Sequence, residues 1–282
     1  MASWPTTVKH LLDKALAPLG VELVRSSRRI TDLHLYPDSS RPTQPRYINV
    51  GAGDFYHPMW HNLDVPNEYY AGRQRGRLHI DYDLSAHLPM PMDDDSVAVA
   101  YTSHVVEHVS DADVEFMFAE VYRCLHPGGY FRVTCPDIDL EYAAFRRGDA
   151  AFWKWPNAYG IYNDSVEQKF LDHFATALTV THPDTQVEKC SDAEVRELFA
   201  SLPMEQALDT LVARIPPHAR QRYHGDHVNW FNRAKLSRML RRAGFGEVYP
   251  SAYGQSHCPL LRSLPLFDST CPELSLYVEC RK

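Results

Sequence analysis

Short apolar runs that end abruptly in glycines or acids set the frame of the first half of the chain. Tyr47-Ile48-Asn49-Val50 gives way to Gly51-Ala52-Gly53-Asp54, and Asn62-Leu63-Asp64-Val65 carries an acid at its end. Leu78 to Leu84 reads as a third strand. Val97 to Thr102 is nearly all apolar or β-branched, the pattern of a strand buried on both faces. The period then changes. Val114, Met117, Phe118, Val121 and Leu125 follow helical spacing behind Ser110 and Asp113, which form a capping box. Pro127-Gly128-Gly129 is expected to stop that helix before a strand over Tyr130 to Cys135. Repeated strand-helix alternation predicts an α/β chain with a parallel sheet.

Between Leu140 and Tyr223 the alternation is interrupted by mixed helical stretches rich in aromatic and polar residues. This stretch reads as an insertion or cap. Its Phe152, Trp153, Trp155, Tyr159, Tyr162 and Phe170 suit either a stacking surface for a sugar or aromatic ring, or the cap's own core. A helix bearing Leu236, Met239, Leu240 and Ala243 follows, then two strands, Glu247 to Tyr253 and Leu274 to Cys280. Arg233, Lys235, Arg238, Arg241 and Arg242 on that helix read as a solvated outer face. Val8 to Leu19 forms a modest amphipathic helix interrupted at Pro18, expected to pack on the body of the protein.

Composition narrows the class. With 282 residues and 44% apolar content the chain can bury a large core. It contains no apolar stretch of membrane-spanning length and no signal-peptide core, and its six cysteines show no paired metal spacing, so reduced thiols in a cytoplasmic protein are expected. A net charge of −7 argues against a nucleic-acid partner, because proteins that track phosphates present basic surfaces.

The glycine pair carries the first chemistry. Two glycines one residue apart at a strand end leave no side chain between the loop and a ribose or phosphate. A dinucleotide site would want a third glycine at position 56, where Tyr56 stands, and Phe55-Tyr56-His57-Pro58 is a poor helix start for a diphosphate. A single nucleoside is therefore the better ligand, with the Asp64 carboxylate suited to ribose hydroxyls. His104, Glu107 and His108 form a His-x-x-Glu-His pattern. On a helix it would place two histidines on one face as zinc ligands, but it falls at a strand-to-helix junction and spacing names no third ligand, so no metal is assigned. A neutral imidazole there would instead serve as a general base or as a structural hydrogen-bonding group. His224-Gly225-Asp226-His227 raises the same alternatives.

Taken in order, Val50-Gly51-Ala52-Gly53, Asp64, Asp83-Leu84, Leu88-Pro89-Met90-Pro91, Ser103-His104-Val105-Val106-Glu107-His108, Leu125-His126-Pro127-Gly128-Gly129-Tyr130 and Pro136-Asp137 resemble class I S-adenosylmethionine-dependent methyltransferases of the small-molecule, type 11 group. His227-Val228-Asn229-Trp230-Phe231 and Gly244-Phe245 resemble the end of that fold, and together these pieces cover a little over half the chain. The resemblance implies a Rossmann-like class I methyltransferase fold: a mostly parallel sheet flanked by helices, with a helical acceptor-binding insertion. It divides the chain into a helical extension (1–40), an S-adenosylmethionine-binding core (41–140), the insertion (141–225) and a helix with strands that complete the sheet (226–282).

It also implies roles. Asn49, Val50, Gly51, Ala52 and Gly53 would lie under the methionine and ribose, Asp64 would hold the ribose hydroxyls, and Asp83 with the Leu84 backbone would face the adenine. Ser103 and His104 would border the sulfonium, with Glu107, His108 and Asp137 close enough to meet the acceptor; if that acceptor is a hydroxyl, His104, His108 or His227 could remove its proton. The chain departs from the family at Asn49, where an acid is usual, and leaves little room for a first helix between Gly53 and Asp64. The expected activity is methyl transfer from S-adenosylmethionine, with S-adenosylhomocysteine as product, to a hydroxyl of a saccharide or other small polar metabolite. N-methylation of a small amine and a non-catalytic cofactor-binding scaffold are the alternatives; the oligomeric state stays open, a homodimer included.

Overall fold

The computed structural model describes residues 32–37, 44–53, 55–65, 78–153, 165–179, 187–264 and 266–282. Asp54, the helix expected over Val8 to Leu19, and Trp155, Tyr159 and Tyr162 lie outside the described residues.

Among the described residues seven strands form one sheet: β1 (Tyr47–Val50), β2 (His61–Asp64), β3 (Leu78–Asp81), β4 (Val97–Ser103), β5 (Leu125–Pro136), β6 (Glu247–Pro250) and β7 (Ser275–Arg281), in the spatial order β3-β2-β1-β4-β5-β7-β6. The first five are parallel, and β7 runs antiparallel between β5 and β6. The chain steps outward from β1 to β3 and then returns to β4 on the other side of β1. In such sheets the crevice beyond the carboxyl ends, at the point where strand order reverses, is where ligands bind.

The two faces of the sheet bury different material. Ile48, Val50, Ala100, Phe131, Val133 and Val278 pack against α1 (Asp111–Cys124) and α7 (Arg233–Arg242). On the other face Tyr47, Val99 and Tyr101 meet Phe55, Trp60, Leu261 and Phe267. Among the described residues between β1 and β2 there is no helix: the turn at 55–60 covers the sheet with aromatic rings, Trp60 against Phe267 at 5.0 Å between centroids. A separate apolar core holds α2 (Ile138–Arg147), α3 (Val166–Ala175), α4 (Asp192–Ser201), α5 (Met204–Val212) and α6 (Pro217–Arg222) together. Trp153 and Phe170 are buried in that core, and Phe170 stacks on Phe145 at 4.7 Å. These two aromatics therefore fill the core of the helical unit.

The structure departs from the sequence expectation in several places, among them β6, which ends at Pro250 rather than Tyr253. The third strand ends at Asp81, because the Asp83 carboxylate accepts the Ser85 N–H and caps a short 3-10 turn over Leu84–Ala86. Helix α1 stops at Cys124, and β5 starts at Leu125 and runs through Pro127-Gly128-Gly129. That segment becomes strand because the chain's last residue pairs with it: Gly128 N–H donates to the Lys282 carbonyl (2.7 Å) and Lys282 N–H to that of Gly129 (3.1 Å). Lys235 leaves the solvated face of α7. It is 5% exposed, with Nζ 2.9 Å from Asn229 Oδ1, 2.8 Å from Asp111 Oδ1 and over the Trp230 ring, so packing of its stem and three fixed partners outweigh hydration of its charge. All six cysteines are unpaired. Among the described residues no helix is long and apolar enough to cross a membrane.

Candidate active site

The glycine loop, Asp64, Asp83, Leu84, Ser103 and His104 all stand at or just beyond the carboxyl ends of β1 to β4, a consequence of parallel registers such as Val50 opposite Leu63 and opposite Thr102. Gly51 and Gly53 take φ of +69° and +48°. A Cβ on Gly51 would stand 2.3 Å from Val105 Cγ2, so glycine there is demanded by space as well as by backbone angle. The loop is tied to β2 twice, Gly51 N–H to the Leu63 carbonyl and Gly53 N–H to Asp64 Oδ2, each at 2.8 Å. Asp64 Oδ1 also accepts the Val65 N–H, and each carboxylate oxygen keeps a second lone pair for a hydroxyl. Val50 and Ala52 are buried, and the Val50 carbonyl accepts the Thr102 hydroxyl. Asn49 is 3% exposed, and its Oδ1 lacks a hydrogen-bond partner. An orphaned buried acceptor, a side-chain-free turn and a carboxylate with spare lone pairs fit the amino, backbone-facing and ribose parts of S-adenosylmethionine.

Next to this loop, the chain leaves β4 through His104, whose φ of +54° is a left-handed backbone held in place by its N–H to the Thr134 carbonyl. The turn that follows, Val106–His108, carries the titratable groups. His104 is engaged at both ring nitrogens, Nδ1 with Glu107 Oε1 at 3.1 Å and Nε2 with the Ser275 hydroxyl at 2.8 Å. Glu107 is 1% exposed. Burial alone would raise its pKa, but the His104 contact, with His108 and His227 close by, holds it down at about 2.

His108 and His227, 119 positions apart, meet here with ring centroids at 4.8 Å. His108 Nδ1 bonds the Asp226 carbonyl (3.0 Å) and His227 Nδ1 the His173 carbonyl (2.9 Å), which assigns the proton to Nδ1 in both and leaves the lone pair on Nε2. His108 Nε2 lies 4.0 Å from Glu107 Oε1. Burial and then the neighbouring His108 depress His227 to a pKa of about 3, so it is neutral.

Glu107 also lines a narrow cleft with Pro136, Ile138, Glu141, His173 and Asn229. Glu141 and His173 pair there at 2.8 Å. Burial raises the Glu141 pKa, and in His173 the attraction of Glu141 outweighs burial and raises it too. Asp137 caps α2 by accepting the Asp139 N–H, and burial lifts its pKa to about 6. Its neighbours Pro136 and Ile138, rather than Asp137, line the cleft. Glu141, His173 and Ser275 had no sequence signal. Each lies in an ordinary helical or strand pattern and reaches the site only through tertiary packing.

Residues 61–133 match the model of the Methyltransferase domain family. The matched segment runs from β2 into β5 and includes Asp64, Asp83, Leu84, Ser103, His104, Glu107 and His108, but starts after the glycine loop. No curated protein matches the sequence. Among solved structures, the chain is similar to an S-adenosylmethionine-dependent methyltransferase of Thermotoga maritima, described as a possible histamine N-methyltransferase (14% identity, TM-score 0.39, 86% of this chain and 84% of that one). It is similar to one from Archaeoglobus fulgidus (11%, 0.41, 97% and 94%) and to one from Mesorhizobium loti (17%, 0.39, 86% and 93%). Likeness at this depth carries no argument about chemistry.

Proposed function

We propose that the chain, whose residues 61–133 match the Methyltransferase domain family, uses S-adenosylmethionine to methylate a hydroxyl of a small polar acceptor such as a saccharide, with His108 as general base. The observation that carries this reading is the free lone pair of His108 Nε2, 4.0 Å from the buried Glu107 carboxylate that would stabilise it once protonated. An amine already neutral at working pH needs no such base, which is why oxygen is favoured over nitrogen.

S-adenosylmethionine, when bound, supplies an electrophilic methyl on a sulfonium that leaves as the neutral thioether of S-adenosylhomocysteine. The residues do the rest. Asp64 and Asn49 orient the ribose and amino group, the Gly51 to Gly53 backbone forms the floor, and Asp83 with Leu84 holds the adenine edge. His108, with Nδ1 locked on the Asp226 carbonyl, takes the acceptor proton at Nε2, and the ionised Glu107 stabilises the imidazolium that forms. His104 positions Glu107, and His227 stays neutral as a second wall. Ordering of acceptor and methyl donor in one crevice supplies most of the acceleration.

Residues 141–225 are the part we assign to acceptor binding, and the cytoplasm is the compartment that suits six unpaired cysteines. The net charge of −7 favours a small molecule over a nucleic acid. The test is a screen of sugars, polyols and phenols against amines, reading methyl transfer by mass. His108→Ala should lower kcat by about 10²–10⁴-fold with KM for S-adenosylmethionine unchanged. Exclusive turnover of amines, or full activity in the variant, refutes the proposal.

A further inference from the structure

We propose that Glu107, His108 and His227 form a binding site for one divalent first-row transition ion of the zinc class. One carboxylate oxygen and one ring nitrogen from each histidine lie within 4.8 Å of one another. Nitrogen and oxygen ligands around zinc stand about 2.0–2.2 Å from the ion and so about 3.3 Å from each other. Side-chain movements on the order of 1 Å therefore close the triad around an ion.

Two features prepare these groups as ligands. Both histidines donate Nδ1–H to a backbone carbonyl, His108 to Asp226 and His227 to His173, the outer arrangement that fixes a ligating imidazole in one tautomer with Nε2 turned to the ion. Glu107 is 1% exposed, yet neither of its oxygens has a hydrogen-bond partner of good geometry. A carboxylate desolvated to that degree is costly unless positive charge shares its oxygens, and a bound cation would add to the His104 contact at Oε1. The His108 side chain is 24% exposed, which leaves a way in for the ion and a side from which an acceptor can approach.

Two imidazoles and one carboxylate leave coordination positions for a substrate oxygen. This role rests on the hydroxyl-acceptor reading. A coordinated hydroxyl would lose its proton to solvent, and its oxygen lone pair would then form the new C–O bond as the electrons of the breaking S–C bond pass to sulfur. With the ion bound, the His108 lone pair is occupied, and the ion takes over from His108 the work of ionising the hydroxyl.

The experiment is titration of the chelator-treated 282-residue chain with Co2+, followed by its visible absorption, and with Zn2+ by calorimetry. Saturable 1:1 binding is expected, weakened about 10–100-fold in His227→Gln and in Glu107→Gln, with thermal unfolding of each variant as the check on folding. No saturable binding, or an affinity unchanged in both variants, overturns the site. S-adenosylhomocysteine is titrated into the same samples. Its binding without metal binding sinks the metal site and spares the methyltransferase reading, whereas metal binding without it supports the site and counts against the reading on which its role rests.

Discussion

Gly51 and Gly53 provide an internally controlled test of the cofactor loop. Both have positive φ, +69° and +48°, so alanine at either costs about 1–2 kcal/mol in backbone energy. They differ in what a Cβ would meet. At Gly53 nothing lies within 4 Å, whereas at Gly51 the new atom would stand 2.3 Å from Val105 Cγ2 and 2.8 Å from Val105 Cγ1. Val105 is packed against the main core in the turn that carries His104 and Glu107, so it can move only by shifting that turn, an overpacking cost of about 1–3 kcal/mol. Gly51→Ala should thus lose about 2–5 kcal/mol, a drop of roughly 5–15 °C in unfolding midpoint, against about 2–6 °C for Gly53→Ala. Differential scanning calorimetry reads the midpoints, and titration with S-adenosylhomocysteine reads the loop, with affinity lost more than tenfold in Gly51→Ala. Equal midpoints for the two variants, or a larger loss at Gly53, would refute the reasoning.

Two further outcomes follow from buried charge. Asp137 titrates at about 6 in the fold against its ordinary 3.8, so the folded state holds the proton more tightly than the unfolded chain. Its contribution to stability is complete below pH 3.8 and is lost as pH rises through 6. Asp137→Asn keeps a capping acceptor and should gain about 1 kcal/mol above pH 7, discounted because the group is partly solvated, and nothing below pH 4; a gain independent of pH in thermal unfolding would contradict this. Arg132, fully buried in β5, is paired with Asp268 by two bonds (Nε to Oδ1 3.0 Å, Nη2 to Oδ2 2.5 Å) and with Glu279 at 3.4 Å. Arg132→Met leaves two buried carboxylates without their cation and should cost about 3–5 kcal/mol, lowering the midpoint by about 10 °C. A shift of only a degree or two would show that these carboxylates are compensated elsewhere.

Much of the sheet was legible in the sequence because strands buried on both faces leave continuous apolar runs, as Val97 to Thr102 does, and because the Ser110–Asp113 box marks a helix start by its own chemistry. The chain between β1 and β2 also read correctly: ten residues leave no space for a packed helix, and aromatic rings cover the sheet instead. What escaped depends on contacts distant in sequence. Pro127-Gly128-Gly129 looks like a terminator until the C-terminal Lys282 arrives to pair with it. Lys235 looks like one of five solvated cations until Asn229, Asp111 and Trp230 enclose it. At the site, the glycine loop and Asp64 announce themselves by local pattern. The meeting of His108 with His227, and the addition of Glu141 and His173, depend on the helical unit folding back over the end of β4, which no spacing encodes.

The claim on which the rest depends is that the crevice at the carboxyl ends of β1, β2 and β4 receives S-adenosylmethionine. Calorimetric titration of the wild-type chain and of Asp64→Ala with S-adenosylmethionine, S-adenosylhomocysteine and NAD tests it directly. The account predicts micromolar binding of the two sulfur nucleosides and not of NAD, weakened at least tenfold in Asp64→Ala while the variant's unfolding midpoint stays within a few degrees of wild type. Binding of NAD alone, binding of none, or an affinity indifferent to Asp64 would contradict it.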